Sequence, residues 1–390
     1  MPGAQVELVE NTTNYSFTGA AGSGKSTIIK NYLTDEQKTD YVVLATDNYR
    51  AFTLPDTDAH EEKSTRDIFT RTQDMAYLVK ELVLEEIDEQ IKQTHTRPNI
   101  LCDCITLDKK MLNYLSDGTV HSYVAAYRGE PGYVGIAERA DNRANDLQAG
   151  PADKGRFVNT NSLFEGHADA SKRLISTLPN NTITKIYNTA VEKGKDPIEI
   201  ATVDSNKHVV DISDLRVMSE FLNKSNVNIN AVNPVDLILK KGGEIDAFAT
   251  HPEYKAKAIL ELIPKSKYKE AYTVRLKENN DVYAELRADK NGKITLDVLN
   301  KKLFFNKENS NSVEAAVLRA LIRQVLKGDI VKSFNSAYSL PKNKEAKLDR
   351  PFNSQSDNKS FIAAYNKIKF NNINNETKED KEIERGNSKG

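Results

Sequence analysis

Gly19-Ala20-Ala21-Gly22-Ser23-Gly24-Lys25-Ser26 matches the pattern G-x-x-x-x-G-K-[ST] at every fixed position. Such a stretch lets the backbone fold around a di- or triphosphate. Its glycines remove the Cβ atoms that would block close approach, and consecutive N–H groups turn inward as an anion nest. Lys25 is then expected at the β- and γ-phosphates, with the Ser26 hydroxyl on Mg²⁺. The flanks fit this reading. Tyr15–Thr18 alternates like a short strand, although a polar one for the centre of a sheet. Thr27–Leu33 continues as an amphipathic helix whose N-terminus faces the phosphates. The expected nucleotide-binding set is Gly19, Gly22, Ser23, Gly24, Lys25, Ser26 and Thr27, with ATP and Mg²⁺ as cofactors. A glycine-rich turn with a chance Lys-Ser is the bland alternative.

Outward from the loop, the first half alternates strands and helices. Strands are expected at Tyr41–Thr46, Asn99–Ile105, Val120–Tyr127 and Thr182–Tyr187. A long helix is expected over Ser64–Thr94, with Met75, Leu78, Val79, Leu82, Val83, Ile87 and Ile91 at helical spacing. Near-continuous apolar strands alternating with helices imply a parallel sheet sandwiched between helices over residues 1–195. Ligands of such sheets bind beyond the carboxyl ends of the strands.

After residue 195 the pattern changes to a smaller, mainly helical accessory domain with hairpins, residues 196–340. Ile198–Val203 and His208–Ile212 read as one hairpin, Tyr272–Leu276 and Val282–Arg287 as a second. Helices are expected near Asp214–Leu222, Pro234–Leu239, Pro252–Ile263 and Ser312–Lys327. Asp289-Lys290-Asn291-Gly292-Lys293 resembles part of a calcium loop. Arg287 and Val298 fall where that loop needs carboxylates, so it reads as a turn. Residues 341–390 form a polar tail, expected to be largely disordered apart from a short helix at Phe361–Phe370.

The 390 residues hold 55 basic and 56 acidic side chains, so no global field points to nucleic acid or an acidic membrane. No stretch reaches the ~18 consecutive apolar residues of a transmembrane helix. The N-terminus also lacks the charged-then-apolar layout of a signal peptide. A soluble cytosolic product is therefore expected. Cys102 and Cys104 share a strand face, which a metal pair could use, but no further ligands lie nearby. They read as free thiols.

Three further features bear on the chemistry. Asp47, in Ala45-Thr46-Asp47-Asn48-Tyr49-Arg50, ends a predicted strand on the sheet edge where the loop opens. A carboxylate there can take the proton of a hydroxyl that attacks the γ-phosphate in line; the alternative is an N-cap. Asp103 closes the apolar run Asn99–Cys102, placed to hold Mg²⁺ through water or to bond a substrate hydroxyl. Arg139 and Arg143 lie one helical turn apart, and Arg156 follows a glycine. Guanidinium groups there would neutralise a transferring phosphoryl group, although a solvated basic face suits Arg139 better.

Over Asn14–Leu178 the sequence resembles the zeta-toxin family of P-loop kinases. The resemblance rests on G-A-A-G-S-G-K-S, on T-D-N-Y-R-A-F-T-L-P for the family's Asp-x-x-Arg…Pro segment, on N-I-L-C-D, and on the paired arginines. It implies Asp47 as catalytic base, Asp103 and Arg50 as substrate-binding residues, and Arg143 and Arg156 as phosphate-contacting arginines. Gly155-Arg156-Phe157-Val158 with His167 and Asp169 resembles the family's Gly-Arg…His-Asp segment, with Ala168 interposed. Asp103 is shorter than the family's usual Glu, and Cys104-Ile105 replaces its Gly-Thr. Such kinases phosphorylate a hydroxyl of UDP-N-acetylglucosamine, and some are toxins held by an antitoxin.

The Glu-rich end, Glu376–Arg385, resembles the C-terminal signal of effectors exported by type IV secretion, which would make a host protein the partner. A solvated tail is the alternative. The competing functional classes are an ATPase or GTPase with a working second domain, and a degenerate kinase that only binds a protein. Asn343-Lys344-Glu345-Ala346 lacks the final Asp of a guanine-selecting motif.

Overall fold

The strand that leads into the glycine loop, β1 (Thr13–Thr18), lies inside the sheet although its sequence is polar. Buried Asn14 is satisfied on both sides of its amide: its Nδ2 donates to Leu115 O (3.2 Å), and its Oδ1 accepts from Ile100 N–H (2.9 Å). A computed structural model describes residues 12–50, 62–126, 139, 142, 160–192, 194–223, 252–263, 271–288, 294–300, 312–326 and 331–332. Side chains are described for these except 50, 62–73, 160–162, 164–165, 223, 253–254, 323–326 and 331–332. The helices expected at Pro234–Leu239 and Phe361–Phe370, the turn at Asp289–Lys293 and the polar tail lie outside the described residues.

After β1 come α1 (Lys25–Tyr32), β2 (Val42–Leu44), α2 (Thr46–Arg50), α3 (Glu62–Thr94), β3 (Ile100–Cys104), α4 (Lys109–Leu115), β4 (Thr119–Ala126), α5 (Thr160–Lys172) and β5 (Ile183–Asn188). Then follow β6 (Ile198–Asp204), β7 (Val209–Ile212), α6 (Leu215–Asn223), α7 (Pro252–Glu261), β8 (Thr273–Glu278), β9 (Asp281–Ala288), β10 (Ile294–Val298), α8 (Val313–Leu326) and β11 (Val331–Lys332). Among the described residues the strands form one sheet in the order β11-β10-β9-β8-β7-β6-β5-β4-β1-β3-β2. The run β2-β3-β1-β4-β5 is parallel throughout.

Side-chain alternation sends successive residues of this parallel run to opposite faces. Phe17, Leu101, Tyr123, Ala125 and Tyr187 pack against Ile28, Ile29 and Leu33 around α1. Leu44, Ile100 and Cys102 pack against Leu84 and Ile87 of α3 and Met111, Tyr114 and Leu115 of α4. Tyr32 and Tyr187 share a hydroxyl–hydroxyl bond of 2.6 Å that ties α1 to β5.

The expected long helix forms, and of its expected apolar face Ile87 is buried in the core while Val83 and Ile91 pack against it. Ala76, Lys80, Leu84 and Ile87 are buried, whereas Met75, Leu78 and Leu82 are about half exposed. The helix has two apolar stripes, and spacing alone does not say which meets the sheet. The buried Lys80 ammonium is met by Asp108 (3.0 Å) and Glu81 (3.6 Å). Asp108 also caps α4, accepting from Met111 N–H at 2.8 Å. Burial opposes the Asp108 carboxylate's charge, yet these bonds hold its pKa below the ordinary value.

Both expected hairpins form. Asp204 Oδ1 accepts from Asn206 N–H (3.1 Å) and Lys207 N–H (3.0 Å) in the β6–β7 turn. Asn279 and Asn280 take φ of 51° and 71° in the β8–β9 turn, as a two-residue hairpin with the sheet's twist requires. Residues 196–340, expected as an accessory domain, contribute strands that continue the same sheet: β6 pairs antiparallel with β5, and β7 parallel with β8. One core runs from Val124 and Ile186 to Phe221 of α6, Ile259 of α7 and Leu318 of α8. Met1–Val325 with Asp329–Ser333 makes one compact unit. The other, Leu326–Gly328 with Phe334–Gly390, lies outside the described residues apart from Leu326. No helix among the described residues is long and apolar enough to cross a membrane.

Candidate functional site

Gly19–Gly24 forms the turn from β1 into α1. Gly19 has φ +141°, and a Cβ there would lie 2.7 Å from Ser23 Oγ and 2.9 Å from Ala125 O. Only glycine permits that backbone and that approach. Gly22 also has positive φ (75°), and Gly24 (φ 89°, ψ 21°) stands at the N-cap of α1 in the left-handed region. The cap has no side-chain bond and the first turn has no acidic residue. The positive end of α1 is thus left to an anion from outside. Gly19 N–H donates to Ile105 O (3.0 Å) and Ser23 N–H to Ala20 O (3.1 Å), which fixes the loop against β3 and closes it on itself.

Lys25 spans the loop. Its Nζ donates to Gly19 O (2.8 Å) and Ala20 O (3.3 Å) and lies 3.7 Å from Asp103 Oδ1. Asp103 pairs in register with Phe17 and shares the face of Leu101, the face that α1 covers, which is why it meets Lys25. Ser26 and Thr27 are exposed in the first turn of α1.

Asp47 does not end a strand. β2 stops at Leu44, level with Cys102, and Asp47 is the second residue of α2, half-buried. Ala45, which precedes α2, accepts from Asn48 N–H at its carbonyl (3.0 Å), and Asp47 stands in the first turn of the helix. Thr46–Arg50 winds into a helix because Tyr49 turns inward, burying its ring and donating its hydroxyl to Val43 O (2.7 Å). Asp47 still lies beyond the carboxyl end of β2, on the sheet edge shared by the glycine loop and Asp103. Arg50 ends α2 without a described side chain, and Arg143 and Arg156 lie outside the described residues.

Two residues not expected at the site are brought to it. Arg139, read as a solvated face, has Nη2 3.3 Å from where a Cβ of Gly24 would stand. Thr189, just past β5, donates its hydroxyl to Ser23 O and lies 2.8 Å (Cβ) from that same point. Their only signals in the sequence were a basic residue on a helix and a threonine at a strand end on the right edge. His167 and Asp169 are not drawn to Lys25 by any described contact. His167 is fully buried with its ring 5.7 Å from that of Phe221, and Asp169 pairs with Arg173 (2.7 Å).

The residues present fit a nucleoside triphosphate: an uncapped helix N-terminus, a loop closed to side chains and a lysine across it. A Mg²⁺ ion would find the Ser26 hydroxyl and, through water, Asp103. Among the described residues no group of three His, Cys, Asp or Glu could hold a metal, so much of its shell would come from phosphate and water. Cys102 and Cys104 are free thiols, as expected. Desolvation and then the Asp103 charge push Cys104 up to about 12, which keeps it a thiol.

With the glycine-loop strand between β3 and β4 in a parallel sheet covered on both faces, the first half has a P-loop kinase-like fold. No protein-family model and no curated protein matches the chain. Among solved structures it is similar to a chain of the PezAT chromosomal toxin–antitoxin system of Streptococcus pneumoniae. There the identity is 15% and the TM-score 0.31, over 47% of this chain and 70% of that one. It is also similar to a chain of AvrRxo1-ORF1:-ORF2 with ATP, at 12% identity and TM-score 0.38 over 54% and 63%. The same complex with sulphate ions gives 11%, 0.37, 52% and 61%. The chain spans less than two thirds of those two AvrRxo1 chains. The fold assignment rests on the strand order and the loop.

Proposed function

We propose that this chain is an ATP- and Mg²⁺-dependent kinase that phosphorylates a hydroxyl of a small molecule. The observation that carries this reading is Lys25, held across the glycine loop beside Asp103 of the adjacent parallel strand. The loop's N–H groups and Lys25 grip the β- and γ-phosphates. Bound Mg²⁺ would neutralise charge on the phosphates as the γ-phosphoryl leaves. Asp47 accepts the proton of the attacking hydroxyl, Asp103 and Arg50 orient the acceptor, and Arg143 and Arg156 close on the phosphoryl group. The zeta-toxin resemblance makes a sugar nucleotide such as UDP-N-acetylglucosamine the first acceptor to try. It makes an antitoxin the first partner to seek, with a host protein reached by secretion as the alternative. Residues 196–340 then serve as the accessory part. Titration with a non-hydrolysable ATP analogue, then radiolabelled transfer to a panel of sugar nucleotides, tests the reading. Tight binding with neither transfer nor hydrolysis would leave a nucleotide-binding protein module instead.

A further inference from the structure

We propose that Thr189 is a positioning residue of the glycine loop: its hydroxyl orients the Ser23–Gly24 peptide so that the Gly24 N–H faces the bound phosphates. This rests on the nucleotide reading above and extends it to a residue of β5's exit. Thr189 is 3% exposed, and its Oγ1 donates to Ser23 O across 166 residues of sequence. The turn that carries Thr189 is itself closed, by Ala190 N–H donating to Asn188 Oδ1 (3.0 Å).

A trans peptide is planar, so its C=O and N–H point in opposite directions. Holding Ser23 O toward β5 therefore turns the Gly24 N–H away from β5, into the loop that Lys25 spans. Among the described residues no acceptor takes that N–H. Ser23 cannot be held through its own side chain, since its Oγ is buried with no hydrogen-bond partner. Gly24 at φ +89° could not keep this orientation by backbone preference with any other residue, and Thr189 fills the place its Cβ would take. The hydroxyl thus selects one of the orientations that glycine leaves open, before any ligand arrives.

Thr189→Val keeps the branched shape beside Gly24 and deletes the donor; Thr189→Ser keeps the donor. Binding of inorganic pyrophosphate and of a non-hydrolysable ATP analogue to the full chain is measured by calorimetry. Thermal unfolding of the ligand-free chain and the Gly24 amide signal of ¹⁵N-glycine-labelled protein are followed in parallel. Thr189→Val should weaken both ligands about 5- to 100-fold, the range for a stranded buried carbonyl and a lost orienting bond, with Thr189→Ser within about twofold of wild type. Pyrophosphate should shift the Gly24 amide in wild type and Thr189→Ser and not in Thr189→Val. A merely structural clasp would lower the unfolding midpoint and leave affinity intact, which overturns the proposal. So does the absence of a Gly24 shift in wild type that binds pyrophosphate, a criterion that holds even if Thr189→Val fails to fold. Wild type that binds neither ligand overturns the nucleotide reading and this proposal together.

Discussion

β3 is an apolar run that ends on one charge, whereas β8 alternates buried and charged residues along its length. In β3 the charge stands at the carboxyl end, where Asp103 meets Lys25 at 3.7 Å. In β8 Arg275 stands mid-strand and Lys277 second from the carboxyl end, and both are turned sideways to Asp211 of β7. The difference follows from strand direction. Because β2, β3, β1, β4 and β5 run the same way, the segments that leave their carboxyl ends all border one edge. The glycine loop, Asp47, Asp103 and Thr189 are collected there. Where β5–β6, β6–β7, β8–β9 and β9–β10 run antiparallel, consecutive strands leave at opposite edges of the sheet. Charges there pair across strands on the face away from Val210, Val274, Leu286 and Leu296. The parallel half gathers the candidate site residues, and the strands beyond it cover the edge that β5 would otherwise expose.

This contrast is broken most sharply at Lys25. Lys25→Ala should abolish transfer and weaken the ATP analogue about 10- to 100-fold, the worth of hydrogen bonds to a charged group. Stability should fall by only about 1–2 kcal/mol, for the two loop-carbonyl bonds that are lost. Transfer that survives the substitution would place the phosphate site elsewhere. Asp47→Asn comes next. It keeps shape and removes the proton acceptor, so turnover should fall roughly 10²–10⁴-fold, about 3–5 kcal/mol of transition-state stabilisation, with analogue affinity little changed. Were Asp47 present only to complement the first turn of α2, Asn would cost about 0.3–1 kcal/mol of stability and leave turnover near normal.

The loop was legible because glycines and lysine at fixed spacing report a backbone shape and a charge position together. What surrounds it was less so. Tyr41–Thr46 reads as a strand from its apolar run, but Tyr49 turns in to bond Val43 O, and this winds Thr46–Arg50 into α2. Met75, Leu78 and Leu82 satisfy helical spacing with the buried Ile87 as well as Ala76 and Leu84 do; only the shape of the sheet decides between them. Both hairpins were readable from local turns. Their place beside β5 was not, since β7 pairs with β8 across more than 60 residues that periodicity does not connect. Arg139 and Thr189 reach Gly24 through tertiary contacts for which a single sequence carries no mark.

The antiparallel half should answer in stability alone. Lys255 of α7 is 4% exposed and bonds Glu220 of α6 at 3.0 Å, both within the core those helices build on the sheet. Lys255→Ala removes the buried ammonium from Glu220 and leaves its carboxylate with Arg216 Nε at 3.8 Å, so unfolding should be easier by about 1–3 kcal/mol. ATP-analogue affinity, measured well below the midpoint, should match wild type. An affinity loss in the folded variant would show that the two halves are energetically coupled and that the division drawn here is wrong.

The smallest effect is expected at Asp211, and it tests the division most finely. Its carboxylate faces Arg275 Nε (2.5 Å) and Nη2 (2.9 Å) and Lys277 Nζ (3.1 Å), with Arg275 about a third exposed. Asp211→Asn keeps the size and one acceptor but leaves two cations side by side on β8. Solvent reaches these groups, so the cost should be about 1 kcal/mol or less. It should shrink as salt is raised, since screening weakens both the lost attraction and the new repulsion. Urea unfolding at low and high ionic strength measures both features. A cost that does not respond to salt would mean that the cluster works as a packed, dry element. A drop in phosphoryl transfer with unchanged stability would mean that this row of charges reaches the acceptor, and that the chemistry is not confined to the parallel edge.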